Sequence, residues 1–360
     1  MIDDIVQPGI MKIALYEGGA SHLPGQSVVL KLSSNENPLG APQSALDAIA
    51  RAAPNLHRYP PTDHAALRAA IGEAHGLDPE KIICGVGSDE VFIFLVQAFA
   101  GPGTEVLYPE HGFSMYPILA HSVGATPVVV PERDRIVDVD ALLGAVTDRT
   151  RIVFVANPGN PTATFLPSSE LKRLADGLPE TCILVLDGAY AEFAQGYDGG
   201  AALAGSRPTV IMTRTFSKLY GLGGLRVGWG YASRQMIDVL NRVRGPFNLS
   251  NVQLAGAEAA VRDHGWRDRC QTENARNRAA FTEALRGLGL AVDTSHANFV
   301  LARFADENAA NAAETHLRGA GILVRKVAGY GFPEGLRITV GTEADCARVI
   351  AALKDWMGQG

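Results

Sequence analysis

The sequence predicts an α/β protein of two domains, a larger one with a mostly parallel sheet flanked by helices and a smaller α/β one. From residue 81 onward, short β-rich runs alternate with segments whose apolar residues have helical spacing. The run TCILVL at 181–186 lacks polar alternation, which is typical of a parallel strand buried on both faces. At 360 residues the chain also exceeds the length that one hydrophobic core ordinarily supports.

The first two thirds of the chain predict an N-terminal arm over 1–33, packed with the smaller domain, and the larger domain over 34–248. Expected strands of the larger domain are 81–84, 105–108, 126–130, 151–156, 181–186, 208–212 and 226–229. Expected helices are 42–51, 62–75, 88–100, 114–123, 138–146 and 167–178. This alternation is the usual sign of an α/β layer architecture.

After about residue 248 the pattern changes to longer, alanine-rich helices, and we expect the smaller domain over 249–360. Its expected elements are helices 252–263, 266–286 and 307–320, strands 298–301, 322–327 and 336–340, and a last helix ending at 356. We find no internal repeat, so the sequence predicts two compact units and not a repeat array.

Composition and charge exclude several classes of partner. The chain has 32 basic and 38 acidic residues, a net charge of −6, which argues against nucleic acid or an anionic membrane surface as partner. No apolar run approaches the roughly 18 residues of a membrane span. The cysteines are widely spaced and form no C-x-x-C motif, and they are Cys84, Cys182, Cys270 and Cys346. We therefore expect free thiols in a cytoplasmic protein, and no metal site.

The segment TRTFSKLYGLGGLRVGWG at 213–230 places Lys218 just after a predicted strand. Ligands of open α/β sheets bind at this edge. Glycines there let the backbone approach a ligand closely, and the guanidinium of Arg226 suits a phosphate. A lysine at such a place can bond covalently to a carbonyl. The alternative is an ordinary solvated lysine beside a turn, so the other motifs must decide.

Three further motifs also lie at or just after predicted strand ends. GVGSDE at 85–90 offers backbone N–H groups and the Ser88 hydroxyl to an anion, and it matches neither a dinucleotide fingerprint nor a P-loop. Phe113 could stack on a flat ring, and NPGNPT at 157–162 could aim the Asn160 amide. A capped turn, a core phenylalanine and a plain turn are the respective alternatives.

The motif DGAY at 187–190 places Asp187 at the end of an apolar run. A carboxylate buried there is costly unless it meets a cation, either a protonated ring nitrogen or an arginine. With a ring nitrogen as partner, Tyr190 could reach a phenolic oxygen of the same ring. Together the motifs predict a ligand with an aromatic ring that carries a phosphate, a nitrogen, a hydroxyl and an aldehyde. Pyridoxal phosphate has all four.

These motifs resemble those of the fold-type I, aspartate-aminotransferase-like pyridoxal-phosphate enzymes. Within that superfamily the chain is similar to the histidinol-phosphate aminotransferases, through SNENPLG at 34–40, RYP at 58–60, GSDE at 87–90 and LRITVGT at 336–342. The similarity runs from about residue 16 to residue 342. It implies pyridoxal 5'-phosphate as cofactor, a homodimer with shared active sites, and amino-group exchange between L-histidinol phosphate and 2-oxoglutarate in histidine biosynthesis.

The resemblance also implies a role for each matching residue. Lys218 would hold the cofactor as a Schiff base and act as acid and base, while Asp187 would keep the ring nitrogen protonated. Tyr190 and Asn160 would contact the ring oxygen, and Phe113 would stack on the ring. The residues implied at the cofactor phosphate are Ser88, Asp89, Thr215, Ser217, Arg226 and, from a second subunit, Tyr59. Those implied at the substrate are Tyr16, Asn37, Arg325 for its phosphate and Arg337 for the carboxylate of glutamate.

One motif and one further position depart from the family pattern. The usual NPNNPTG is NPGNPTA at 157–163, and the stacking position, commonly tyrosine, is Phe113, which lacks the hydroxyl. Two alternatives use the same cofactor, an aromatic amino acid aminotransferase for phenylalanine or tyrosine and a decarboxylase of a phosphorylated amino acid. A non-catalytic regulator or scaffold is the alternative from another class.

Overall fold

The computed structural model describes residues 5–15, 18, 22 and 29–358. The elements of the first two thirds are β1 Leu30–Lys31, α1 Gln43–Ala52, α2 Ala65–His75, β2 Ile82–Gly85, α3 Gly87–Phe99, β3 Glu105–Pro109, α4 Met115–Ser122, β4 Thr126–Val130, α5 Val139–Ala145, β5 Thr150–Ala156, α6 Ser168–Gly177, β6 Ile183–Asp187, α7 Ala201–Ser206, β7 Val210–Thr215, β8 Gly228–Tyr231 and α8 Arg234–Val243. Those that follow are α9 Asn251–Arg262, α10 His264–Gly287, β9 Ala291–Val292, β10 Phe299–Arg303, α11 Glu307–Gly319, β11 Ile322–Leu323, β12 Arg325–Val327, β13 Phe332–Thr339 and α12 Glu343–Gly358.

The larger sheet has seven strands in the order β2-β8-β7-β6-β5-β3-β4. The strands from β7 to β4 in this order are parallel, which confirms the mostly parallel sheet. β8 runs antiparallel to both of its neighbours, so β2 points the same way as β7. All strands of this sheet except β8 therefore end at one edge, and β8 begins there.

Burial of β6 explains its unbroken apolar run. Leu184 and Leu186 belong to the core on one face of the larger sheet, whereas Ile183 and Val185 belong to the core on the other face. Helices cover both faces, so successive side chains enter apolar surroundings in both directions. Asp187 ends the strand at the edge described above.

The smaller sheet is antiparallel, with four strands in the order β12-β13-β10-β9. The prediction of a single strand over 322–327 is wrong, because this run forms two strands that belong to different sheets. β11 pairs with β1, and β12 pairs with β13. Helices α11 and α12 and the end of α10 complete the core on this sheet.

The chain passes from the core of the larger sheet to the core of the smaller sheet within α10. We expected the smaller domain to begin earlier, at residue 249. α9 packs against α1 and α2 and buries Ala257 and Ala260 in the core of the larger sheet. The end of α10 instead buries Phe281 and Leu285 in the smaller core. The long α10 thus carries the chain from one core to the other.

The N-terminal arm contacts both parts of the molecule. β1 pairs with β11 on the side of the smaller core. Gly9, in contrast, lies directly against the backbone of His121 in α4. The boundaries of the arm and of the two domains otherwise stay a prediction.

Two helices of the larger part were missed by the sequence analysis, α7 and α8. The sequence signal that could have identified α8 is Ser233, a residue type that is common at helix N-caps. Its side chain accepts a hydrogen bond from the Met236 N–H. In α8, Met236, Ile237 and Leu240 then bury one face. Among the described residues, no helix combines the length and the apolar character that crossing a membrane requires.

Candidate active site

A cavity of about 220 Å³ opens at the edge where the parallel strands end. Most of the predicted site residues line it, namely Ser88, Asp89, Phe113, Asn160, Asp187, Tyr190, Thr215, Ser217, Lys218, Arg226, Arg325 and Arg337. Apart from Arg325 and Arg337, which come from the smaller sheet, they belong to segments far apart in the chain that meet at this edge of the larger sheet.

Lys218 follows β7 and projects into this cavity. Its Nζ donates to the carbonyl of Ser34 at 3.1 Å and lies 5.8 Å from the centre of the Tyr190 ring. Burial, and after it the positive charge of Arg337, lower the pKa of Lys218 to about 8. Near neutral pH the side chain therefore has an appreciable neutral fraction, and the neutral amine is the form that attacks carbonyls and accepts protons.

Asp187 is a buried carboxylate held by uncharged donors. Its Oδ2 accepts from the Tyr116 hydroxyl at 2.7 Å, and its Oδ1 accepts from the backbone N–H of Ala189 at 3.1 Å. Burial raises the pKa of Asp187 to about 6, although the Tyr116 hydrogen bond opposes this shift. Within the described part of the chain no arginine pairs with this carboxylate. The site therefore favours a cationic group from a ligand.

Ser88 at the N-terminus of α3, Ser217 and Arg226 together form a polar recess of the cavity, which we call the anion cup. The Arg226 guanidinium donates to Ser217 Oγ at 3.1 Å and to the Asp89 carboxylate at 3.3 Å. A Cβ at Gly228 would lie 2.2 Å from the backbone nitrogen of Ser88, so glycine is required for β8 to pass the helix end this closely.

The antiparallel direction of β8 explains why Arg226 belongs to this cup. Arg226 lies two residues before β8, and β8 begins at the edge where the other strands end. Arg226 has a left-handed backbone, with φ of 57°, which turns the chain into the strand. A parallel β8 would have carried this arginine to the opposite edge.

Arg337 and Arg325 enter the cavity from the smaller sheet. Arg337 Nη1 donates to Asn160 Oδ1 at 2.6 Å, and Nη2 donates to the Ser33 carbonyl at 2.9 Å. Arg325 of β12 lies directly opposite Arg337 of β13 in the antiparallel register. Two cationic side chains from neighbouring strands of the smaller sheet therefore line the same cavity as Lys218 and Asp187.

The cavity carries more positive than negative charge. Its cations are Lys218, Arg226, Arg325 and Arg337, and its carboxylates are Asp89 and Asp187. This contrasts with the net charge of −6 for the whole chain. The arrangement favours anionic ligands.

Asn37 does not line the cavity, contrary to what a substrate-binding role requires. Its amide donates to the carbonyl of Leu219 at 2.6 Å. Asn35 lines the cavity instead and donates to the Tyr190 hydroxyl at 3.0 Å. The left-handed backbone of Asn35, with φ of 57°, turns the segment so that Asn35 faces inward.

Tyr59, another predicted residue, is not at the cavity in this chain. Tyr59 is 82% exposed and stacks on Phe247 with a centroid distance of 4.5 Å. Its contact with the site of a second subunit stays a prediction. Tyr16 lies outside the described residues.

The sequence analysis missed Tyr116 and Tyr330. Tyr330 lines the cavity, shares a hydrogen bond of 3.0 Å with Ser114 Oγ, and accepts from His111 Nδ1 at its carbonyl. These contacts join the segment between β12 and β13 to the loop after β3. No motif signals Tyr330, whereas Tyr116 follows Phe113 by three residues on a predicted helix. No cluster of metal-ligating side chains forms among the residues that the structure describes.

The sequence matches the family described as aminotransferase class I and II over residues 27–353. The chain belongs to this family. The aminotransferase is 63% identical over 348 residues to the histidinol-phosphate aminotransferase of Ruegeria pomeroyi, covering 97% of this chain and 96% of the relative. It is 62% identical over 353 residues to the enzyme of the same name from Paracoccus denitrificans, covering 98% and 96%.

Solved structures place the aminotransferase in the same fold. The crystal structure of histidinol-phosphate aminotransferase from Sinorhizobium meliloti in complex with pyridoxal-5'-phosphate matches with a TM-score of 0.87 at 29% identity, covering 93% of this chain and 92% of that one. A double mutant of the aspartate aminotransferase from Thermus thermophilus matches with a TM-score of 0.79 at 22% identity, covering 91% of each chain. The fold-type I architecture is therefore confirmed.

Proposed function

We propose that this aminotransferase uses pyridoxal 5'-phosphate to exchange an amino group between L-histidinol phosphate and 2-oxoglutarate, a step of histidine biosynthesis. The observation that carries the proposal is a cavity lined both by Lys218, a weakly basic amine, and by Asp187, a buried carboxylate that no arginine pairs with in the described part of the chain. The relatives named histidinol-phosphate aminotransferase, at 62–63% identity, support the choice of substrate.

The residues present fit pyridoxal phosphate. Ser88, Ser217 and Arg226 would hold its phosphate, because they converge on the N-terminus of α3 where Gly228 leaves space. Asp187 would face the ring nitrogen, since its buried carboxylate is hydrogen-bonded by uncharged donors and pairs with no arginine within the described residues. Phe113 would cover one face of the ring.

Three residues would perform the proton chemistry at this site. When bound, pyridoxal phosphate supplies an aldehyde that reacts with amines and a ring that accepts an electron pair. Lys218 Nζ removes the proton from the substrate carbon that bears the amino group, as a base whose pKa lies near the working pH. Asp187 would hold a proton on the ring nitrogen, and Tyr190, whose hydroxyl accepts a hydrogen bond from Asn35, would donate toward the ring oxygen.

The two arginines of the smaller sheet would distinguish the two substrates. Arg337 would bind the carboxylate of glutamate and 2-oxoglutarate with its planar fork of donors. Arg325 would bind the phosphate of histidinol phosphate. Both substrates are anions, in agreement with the excess of positive charge in the cavity.

We propose further that the enzyme is a homodimer in the cytoplasm. The exposed stack of Tyr59 on Phe247 offers an aromatic surface to a second subunit. All cysteines are buried free thiols, which favours a reducing compartment.

An assay of purified enzyme with histidinol phosphate and 2-oxoglutarate tests the function. We expect glutamate to form in equal amount to the histidinol phosphate consumed, with a higher kcat/KM than with phenylalanine or tyrosine. Release of carbon dioxide without glutamate would indicate a decarboxylase, and a preference for the aromatic amino acids would overturn the substrate assignment.

A further inference from the structure

The Tyr116 hydroxyl is the strongest contact of Asp187. Tyr116 lies in the first turn of α4, is 0% exposed, and donates to Asp187 Oδ2 at 2.7 Å. The second carboxylate oxygen accepts from the N–H of Ala189. These two donors approach the carboxylate from different sides and determine which way it faces in the cavity.

The Tyr116 ring is itself immobilised by other aromatic rings. It is stacked on Phe154 with a centroid distance of 4.6 Å and an interplanar angle of 10°. Phe92 contacts it edge-on at 6.1 Å and 77°. Because close-packed rings of this kind restrict rotation, the hydroxyl is held at one point with little conformational freedom.

The same ring also supports Phe113. The two rings meet edge-on, with a centroid distance of 5.9 Å and an interplanar angle of 89°. Phe113 lines the cavity, so one residue outside the cavity contacts two groups inside it. Those two groups are the ones that would face the ring nitrogen and the ring plane of the cofactor.

We propose that Tyr116 is a positioning residue that orients Asp187 toward the cofactor nitrogen and supports the stacking ring of Phe113. This inference rests on the proposed use of pyridoxal phosphate. The hydroxyl donates a charge-assisted hydrogen bond, so it stabilises the ionised carboxylate in a buried place where ionisation is otherwise costly. An ionised Asp187 is the form that retains a proton on a ring nitrogen.

The variant Tyr116→Phe removes this hydrogen bond and leaves the ring. Tyr108→Phe is the matched control, because Tyr108 is a buried tyrosine of the same aromatic cluster, 6.1 Å from Tyr116, whose hydroxyl does not bond to Asp187. In the apoenzyme, infrared spectroscopy follows the carboxylic acid band of Asp187, which is assigned by its loss in Asp187→Asn. We expect Asp187 in Tyr116→Phe to titrate at higher pH than in wild type and in Tyr108→Phe. An unchanged titration would overturn the inference.

A second measurement is the affinity of each apoenzyme for pyridoxal phosphate. We expect binding about tenfold weaker in Tyr116→Phe, since a hydrogen bond to a charged group is lost. In the Asp187→Asn background the same substitution should have little further effect, because the hydroxyl acts through Asp187. Equal losses in both backgrounds would show a structural role only.

The two failures are distinguishable. If wild type does not bind pyridoxal phosphate, the proposed function is wrong. If wild type binds it and Tyr116→Phe matches wild type in both measurements, only the role of Tyr116 is wrong.

Discussion

Arg337 Nη1 donates to the side-chain oxygen of Asn160 at 2.6 Å, and this bond joins a strand of the smaller sheet to a loop at the edge of the larger one. The second nitrogen donates to the carbonyl of Ser33. These two bonds orient the guanidinium at the cavity, where it would meet the substrate carboxylate that we propose it binds.

We expect Arg337→Lys to raise the KM for glutamate at least tenfold, because a lysine cannot keep both oriented bonds and bind a carboxylate with two donors. The half-reaction with histidinol phosphate should change less, since that substrate has no carboxylate. Single-turnover measurements of each half-reaction test this. Arg303→Lys, on neighbouring β10 and paired with Asp293, is the control. Equal effects on both half-reactions would contradict a role in carboxylate binding.

Arg226→Gln should weaken pyridoxal phosphate binding about tenfold or more, because the charged donor of the anion cup is lost. Binding of pyridoxal, which lacks the phosphate, should change little. Equilibrium binding of both compounds to the apoenzyme provides the comparison. A similar loss for both would mean that Arg226 supports the fold of the site and does not contact the phosphate.

The rate at which pyridoxal phosphate attaches to the apoenzyme should follow the titration of Lys218. Burial lowers the pKa of Lys218 from 10.5 to about 8, so the neutral amine fraction rises with pH up to about 8 and then levels off. We expect the rate of borohydride-trapped attachment to increase about tenfold per pH unit below pH 8 and to reach a plateau above it. A rate that still climbs steeply at pH 10 would indicate an ordinary lysine.

Asp187→Asn should stabilise the apoenzyme at high pH only. The pKa of Asp187 is raised from 3.8 to about 6 in the folded chain, so ionisation costs stability as the pH rises between these values, and the cost remains above pH 6. A shift of roughly two units corresponds to up to about 3 kcal/mol. Asparagine can keep both partners, with Oδ1 accepting from Ala189 N–H and Nδ2 donating to the Tyr116 hydroxyl.

Denaturant unfolding of both apoproteins at pH 5 and pH 8 measures this effect. The advantage of the variant should grow with pH. A difference in the free energy of unfolding that is the same at both pH values would show that the ionisation of Asp187 is not its cause.

Asp187 and Lys218 were predictable because each follows an apolar run that ends at the binding edge of a parallel sheet. The residue type and the strand end together define the chemistry, and the edge rule brings them together without further information. The direction of β8 was not predictable in this way. A short apolar run predicts a strand but not its direction, although that direction brings Arg226 to the site.

Tyr116 and Asn35 show a second limit. Tyr116 has the helical position of a core aromatic, and its hydrogen-bond partner is 71 residues away, so only the packed fold reveals the contact. In the turn segment 34–40, several polar side chains could face the cavity. Ser34 and Asn35 line it and Asn37 does not, and the residue types alone do not specify this outcome.

The central claim is that the cavity at the sheet edge binds pyridoxal phosphate through Lys218. The most direct measurement is borohydride reduction of the enzyme with pyridoxal phosphate, followed by peptide mass spectrometry, in wild type and in Lys218→Ala. We predict one stable adduct, on Lys218, and none in the variant. An adduct on another lysine that persists in Lys218→Ala, or no adduct in wild type, would contradict the claim.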